Sequence, residues 1–397
     1  MPLYVLRFRL AALALLVLCA ATLPRARAAD KNATPDTLVL KDGNTLHGKL
    51  VSEAGGTVIF STPALGDVNV PWAKIQELHA TEDFAVLPAH MKSLPKKSAV
   101  RLPVGPLDAT GESVTVHPKG QEGVPQPIAS KDAAFIVSED TLYKQLYHTP
   151  GFFQGWNGAA TAGATLVTAT QNQYTFSGSV GLTRAVPTVS WLDTRNRTSA
   201  DFTGSFGKIT QPAYGSPTGP VAATVTKTSI LHFDAERDEY FSPRMFGLAQ
   251  TSFDHNFSQD LSLQQIYGGG IGWTAVKTSR QQADVKATVQ YEKQNFISGS
   301  SSANQNLIGS TLSADYMRKQ KIFTLTQEIA YIPAFNNLHA YSAEETDTVA
   351  FPTWKNFAFS LGTIDSYLND PPITYPTTKL NSFQFTMGLT YAIKSKY

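Results

Sequence analysis

The sequence predicts an all-β chain, in which a C-terminal transmembrane antiparallel β-barrel of about 12 strands follows a small periplasmic β domain. Three observations lead there. Past a short apolar leader, no long stretch repeats its apolar positions at the helical period with good caps, whereas many short runs alternate apolar and polar residues. These runs lengthen from about residue 154 onward. The last of them, NSFQFTMGLTYAIKSKY at 381–397, holds a period of two to within a few residues of the chain end, where termini ordinarily fray.

In the leader, Arg7 and Arg9 precede an apolar run from Leu10 to Leu23, followed by Pro24, Arg25 and the pattern Ala26, Arg27, Ala28. The run is short of the roughly 20 residues a spanning helix needs and has the layout of a secretory signal peptide over 1–28, cleaved after Ala28. The one cysteine, Cys19, lies inside it behind Leu18, where a lipoprotein signal requires a small residue. The mature chain is therefore expected to lack a thiol for disulfide, nucleophilic or metal chemistry. Lys and Arg number 33 against 31 Asp and Glu, and several of the arginines leave with the leader. Such a balance gives no electrostatic basis for binding nucleic acid.

Residues 29–140 have the texture of a compact β domain. In TLVLKDGNTLHGKLVSEAGGTVIFSTPALGDVNVPWAKIQEL, Asp42-Gly43 and Gly55-Gly56 supply turns between short strands. A fainter echo follows, PLDATGESVTVHP repeating KLVSEAGGTVIFSTP and QPIASKDAAFIV repeating NVPWAKIQEL. Two consecutive SH3-like or Sm-like barrels joined through 87–97 are the natural reading, with Trp72 a core anchor beside Ile75. Residues 141–153 read as a linker.

Over 154–397 strands are expected at about 154–170, 172–186, 197–210, 222–236, 243–255, 260–276, 280–295, 306–317, 321–332, 338–350, 356–367 and 379–395. One face of each is apolar, as in Val285, Val289 and Tyr291, and the other polar, as in Asp284, Lys286, Thr288, Gln290 and Glu292. A soluble sandwich would turn the apolar face inward, a membrane barrel outward. The even strand number, the span lengths and the loop parity favour the barrel. With the N-terminal domain in the periplasm, connections 211–220, 298–306 and 369–379 fall outside, and the short charged turns 237–244, 277–281 and 317–321 fall inside. The connection 187–197 is longer than this rule predicts. Aromatic residues also recur at strand ends, among them Trp156, Trp191, Tyr240, Tyr331, Trp354 and Tyr397, where interfacial girdles would place them.

The stretch GLAQTSFDHNFSQDLSLQQIYGGGIGWTAVKTSRQQADVKATVQYEKQNF, the later LGTIDSYLNDPP and the closing strand resemble the DUF481 family of salt-induced outer-membrane proteins, over about residues 150–397. Gly268, Gly269, Gly270, Gly272 and Trp273 carry the most specific part of the likeness. The resemblance implies an outer-membrane barrel and supplies no catalytic residue, and the upstream domain lies outside it.

Candidate chemistry is sparse. GGGIGW could pass for a phosphate loop, but it runs on into strand, turn and strand instead of a helix, so glycines that let a strand bend are the better reading. His232 and Asp234 share a strand face and would form half of a hydrolase constellation, though no serine can be assigned to them. Asp254 and His255 are adjacent, hence on opposite faces. Glu344, Glu345 and Asp347 in SAEETD cannot supply six to eight converging oxygens for calcium from one strand, so they read as loop or lumen residues. No catalytic, cofactor or metal site is expected. Asp234, Glu236, Asp284, Lys286, Glu292, Glu328 and Lys394 are expected to face the lumen.

These readings together predict an outer-membrane pore for small polar solutes or an envelope protein of osmotic stress, with a lipid- or peptide-acting hydrolase or a structural binding module as alternatives. Phe383, Phe385, Met387, Leu389, Tyr391 and Tyr397 form the greasy face of the closing strand, expected to meet the outer-membrane bilayer and to be recognised by the outer-membrane assembly machinery. Residues 30–140 could engage a periplasmic envelope partner.

Overall fold

The computed structural model of the protein describes residues 35–88, 94–118, 127–168, 172–216, 219–278, 280–297, 304–369 and 380–395. The expected signal peptide over 1–28 and Tyr397 lie outside the described residues. The chain divides into two compact units, one holding residues up to Phe84 together with Val104–Lys131, the other Ala85–Pro103 and Asp132 onward.

The first unit is a small N-terminal barrel of short strands: β1 (Asp36–Leu40), β2 (Thr45–Ala54), β3 (Thr57–Thr62), β4 (Gly66–Pro71), β5 (Ile75–Pro88), β6 (Val104–Thr110), β7 (Ser113–Val116) and β8 (Ile128–Ala129). They lie in the order β4-β3-β2-β1-β5-β6-β7-β8. Gly43, Gly55 and Gly56 have positive φ at the two turns where Asp-Gly and Gly-Gly occur, a conformation that side chains disfavour. Leu38, Val58, Phe60, Ile75, Leu78 and Leu107 form its core. Asp36, buried at the start of β1, accepts from Leu50 N at 2.8 Å and from Thr81 N at 2.8 Å, tying β1 to β2 and β5. Buried donors and acceptors are satisfied in this way because leaving them unpaired costs about 1–3 kcal/mol.

Three expectations for this region need correcting. The echoed segments do fold alike locally, each as a single 3-10 turn (Trp72–Lys74 and Ser130–Asp132) leading into a strand, yet they do not close as two separate barrels. The long β5 has β1 on one side and β6 on the other, so the echoed halves share one sheet. Trp72 is half-buried beside Ile75, which alone of the two is a full core residue. The linker over 141–153 is in good part helix. A short turn α1 (Lys96–Ala99) and strand β9 (Ala133–Ser138) are followed by α2 (Glu139–Tyr147). Ser138 caps α2 through Thr141 N, Glu139 and Asp140 suit its positive end, and Leu142 and Leu146 bury one face. Two turns are too few for helical periodicity to stand out in the sequence.

The second unit is dominated by a closed barrel of β10 (Asn157–Thr168), β11 (Asn172–Val186), β12 (Asn196–Gln211), β15 (Thr224–Tyr240), β16 (Met245–Asn256), β17 (Leu261–Lys277), β18 (Gln281–Phe296), β19 (Gln305–Lys319), β20 (Thr324–Pro333), β21 (Tyr341–Trp354), β22 (Phe357–Leu368) and β23 (Asn381–Ile393). A small hairpin, β13 (Tyr214–Ser216) with β14 (Gly219–Val221), stands in the loop after β12. Every neighbouring pair is antiparallel. The ring is sealed where Ala160 of β10 pairs with Tyr391 of β23, so the closing strand has a ladder on both sides. The expected strands agree with those observed to within a few residues.

Burial decides between sandwich and membrane barrel. On β23, Phe383 and Met387 are 64% and 56% exposed, and on β18 Val289 is 65% exposed, whereas its neighbours Gln290 and Glu292 are 3% and 4% exposed. Apolar side chains outward and polar ones inward is the inverse of a soluble protein and the pattern of a transmembrane barrel, whose closure removes edges that lipid could not satisfy. Tyr341 lies 5.9 Å from both Tyr331 and Tyr367 at one end, and Trp354 stacks on Phe357 beside Tyr391 at the other.

The over-long connection between β11 and β12 has a structural reason. Leu94 forms a strand-like bridge with Leu192, Thr188 exchanges hydrogen bonds with Gln145 of α2, and Arg195 Nη1 donates to Leu146 O at 2.9 Å. The extra residues are the socket that receives α2 and the segment before α1. This end of the barrel, where chain enters β10, is called the turn end below, and the opposite one the loop end.

Candidate functional site in the barrel lumen

Near the turn end, the lumen face of β12, β15, β18 and β19 carries a layer of charge. Arg197 Nε donates to Asp238 Oδ2 and Nη1 to Asp284 Oδ2, both at 2.6 Å, with Glu236 Oε1 3.8 Å from Nη2. Lys286 Nζ lies 2.7 Å from Glu236 Oε2 and 2.7 Å from Asp315 Oδ2. Asp238 faces Arg197 across the β12–β15 ladder, and Asp315 faces Asp284 across the β18–β19 ladder. Two of these ion pairs, Arg197–Asp284 and Glu236–Lys286, join strands that are not neighbours in the wall, so they are chords across the interior.

The strands spanned by the chords make room for them. Gly268, Gly270 and Gly272 occupy the lumen face of β17, the face shared with buried Gln264 and Thr274. At Gly272 an added Cβ would stand 2.2 Å from ring carbons of Phe246, a fully buried side chain that sits directly opposite on β16. The Arg197 guanidinium lies 5.3 Å from the centre of that ring. The glycine-rich strand is therefore a wall thinned to admit an aromatic ring and the cation above it, and no helix follows that could make it a phosphate loop.

Farther from the turn end the lumen is acidic. Both ring nitrogens of His232 face carboxylates, Nδ1 that of Asp254 and Nε2 that of Asp234, the latter at 3.2 Å. Ser252 Oγ donates to Asp254 Oδ2 at 3.0 Å. Asp201 stands opposite Asp234 in register, Glu328 opposite Asp315, and Glu344 opposite Ala330. Glu292 accepts from the Nε2 atoms of Gln264 and Gln294, each at 2.6 Å. Glu328 is open to the lumen space, unlike the packed residues of the chord layer.

The other wall is different in kind. On β22, β23 and β10, Ser360 Oγ accepts from Thr390 Oγ1 at 2.7 Å, and Thr390 Oγ1 lies 2.8 Å from Thr161 Oγ1. Gly362, Thr386 and Gly388 continue this face, and Ser177 and Ser179 continue it on β11. Small neutral side chains stand here where the facing wall carries charged ones.

Of the residues expected in the lumen, Asp234, Glu236, Asp284, Lys286, Glu292 and Glu328 are there. Lys394 is not on the wall: it follows Ile393, the last strand residue, and is exposed at the turn end. Among the SAEETD carboxylates only Glu344 faces inward. Glu345, paired with Ile329 and Asp365, and Asp347, paired with Gln327 and Thr363, face outward, because neighbours in a strand alternate. His255 turns away from Asp254 and meets Ser262 O at 2.8 Å. Arg197, Asp238 and Asp315 are not among the expected lumen residues: Arg197 stands at the boundary of a connection and a strand, and Asp238 falls in the expected turn 237–244. Extending the strand parity from Asp234 through Glu236 would have reached Asp238. Among the described residues no three His, Cys, Asp or Glu side chains converge in metal-ligand geometry.

Among the described residues of the first unit, a titratable cluster joins His79, Asp108 and His117. Asp108 meets His79 Nδ1 at 2.7 Å and His117 Nε2 at 2.9 Å on its exposed surface. The hydrogen bond from Asp108 pushes the His79 imidazole above the ordinary histidine value, against the opposing effect of partial burial.

Residues 160–393 match the family model described as "Protein of unknown function, DUF481". The chain belongs to the DUF481 family. A search of curated proteins gives no match for this DUF481 protein. Among solved structures it is similar to the NanC porin, at 8% identity and a TM-score of 0.33, over 59% of this chain and 98% of that one. It is also similar to the translocator domain of the autotransporter NalP from Neisseria meningitidis, at 10% identity and a TM-score of 0.31, over 62% of this chain and 90% of that one.

Proposed function

We propose that this DUF481 protein is an outer-membrane barrel that passes small polar solutes, with its N-terminal unit in the periplasm and a role in envelope or osmotic stress. One observation carries the reading: the inward face is largely polar, and on β11, β22 and β23 it carries small hydroxyl and glycine positions such as Ser179, Ser360, Gly362, Thr386 and Thr390. A barrel serving only as an anchor could fill that space with larger side chains. Loop length supports this orientation: apart from the β11–β12 connection the turn end carries short turns, whereas the longest connections, after β12 and after β22, stand at the loop end. The closing strand then serves as the segment read by the assembly machinery, and the N-terminal unit is the surface available to an envelope partner.

The hydrolase reading is weaker. With both ring nitrogens against carboxylates, His232 has none left to accept a proton from a serine, and an imidazole oriented by a carboxylate is useful only if its second nitrogen is free for the nucleophile.

Single-channel recording of the purified full-length protein in a planar bilayer tests the proposal. Discrete conductance steps from a barrel that migrates heat-modifiably on gels are expected. A correctly folded barrel that never conducts, with or without the N-terminal unit, sinks the pore reading, and recovery of the protein as a soluble periplasmic species sinks the location.

A further inference from the structure

The lumen carries more negative charge than its own cations balance. In the chord layer, Glu236, Asp238, Asp284 and Asp315 pair with Arg197 and Lys286, with Lys277, opposite Gln282 on the inner face, a further cation nearby. Above it, Asp201, Asp234, Asp254, Glu292, Glu328 and Glu344 surround a single imidazole, His232. Lys208 and Lys227, which could have offset this, face outward, paired with one another across the β12–β15 ladder on the same face as Phe202 and Phe206. The imbalance is therefore a property of the inner surface in particular.

A second observation points the same way. Asp238 and Asp284 are 1% and 3% exposed, and after Arg197 has made its contacts the Oδ1 atom of each, like that of Asp315, has no hydrogen-bond partner among the described residues. A buried carboxylate oxygen without a donor is costly. Here three such oxygens lie in one layer of the lumen, uncompensated negative charge held at the inner wall.

We propose that the lumen selects small cations over anions, passing them along the Ser/Thr/Gly wall of β22, β23, β10 and β11 while the carboxylates of the facing wall set the sign. The inference rests on the pore reading and adds its substrate class. The physical basis is field focusing: a cleft of one charge sign between low-dielectric walls raises the local counter-ion concentration and depresses that of co-ions. The division of labour matters as well. The chord layer has its charges tied down, so it stiffens the barrel and cannot collapse onto the permeant ion. The hydroxyl wall offers oxygen ligands without a charge that would trap it.

The test is the reversal potential of the full-length protein in a planar bilayer under a potassium chloride gradient. A shift toward the potassium equilibrium potential is expected, with a cation-over-anion permeability ratio on the order of 10. In the triple variant Asp234→Asn, Glu328→Gln, Glu344→Gln, conductance should persist while that ratio falls several-fold. Ser179→Trp on the opposite wall should cut conductance and leave the ratio unchanged. A conducting barrel that reverses at zero, or on the chloride side, overturns cation selection while leaving the pore reading standing. A folded, inserted barrel with no conductance overturns both. An unchanged ratio in the triple variant, or in Glu328→Gln alone should the triple variant fail to insert, removes these carboxylates as its source.

Discussion

Arg197 Nη1 donates to Asp284 Oδ2 at 2.6 Å although β12 and β18 are separated in the wall by β15, β16 and β17. The pair is a strut across the interior, and its partner chord from Lys286 to Glu236 runs beside it. An ion pair of this kind is weak evidence for net stability, because desolvating both charges offsets much of their attraction. Breaking it is another matter.

Replacing Arg197 by methionine leaves Asp238 and Asp284 buried without their cation, which should cost about 3–5 kcal/mol. The loss should appear as a lower urea midpoint for the folded, heat-modifiable band. Asp284→Asn alone should also destabilise, and the double variant should lose clearly less than the sum of the two, since the residues share one interaction. Strict additivity would show that the strut is not an energetic unit.

Gly272 is crowded by the Phe246 ring, so Gly272→Val should destabilise the barrel by about 1–3 kcal/mol through overpacking. The cause can be checked by rescue: adding Phe246→Ala should recover part of the loss. If Gly272→Val is as stable as the natural protein, the thinned wall has no structural role.

The two faces of β23 should respond oppositely to charge. Leu389→Arg at a lipid-facing position should cost about 2–4 kcal/mol. Thr386→Arg, three residues away on the lumen face, should be tolerated far better and should change conductance instead. Deleting 383–397 should abolish insertion, because it removes both the closing ladder and the proposed assembly signal. A heat-modifiable barrel in the truncated strain would refute that role.

The Asp108 hydrogen bond raises His79 above its ordinary value, so its contribution to the N-terminal unit is fully present below the unfolded histidine value, near pH 6.5, and is lost as pH rises through the higher folded value. Both partners are about half exposed, so solvent screening keeps the effect under about 1 kcal/mol. An NMR titration of His79 should show its midpoint falling in Asp108→Asn. An unmoved midpoint would remove Asp108 as the cause.

The strands of the barrel were legible because each long run repeats at a period of two, and its ends are marked by Gly, Pro, Asn and Asp. Helix α2 was missed because nine residues give little more than two turns, too few to show a period against the surrounding strands. Parity likewise carries a face assignment along a strand, and that is the basis of the expected lumen positions. It failed at Lys394, beyond the end of the strand, and it stopped short of Asp238 where a strand was judged to end too early.

The alternation of side chains, the number of strands and the apolar closing segment were determined by the sequence alone, since a period of two is a local property of extended backbone. Which face met lipid was settled only when exposure and register could be seen together. The chords are further still from sequence. Arg197 and Asp284 lie 87 residues apart on strands that never pair, and only closure of the ring, with glycines at the strand between, brings their charges within a hydrogen bond.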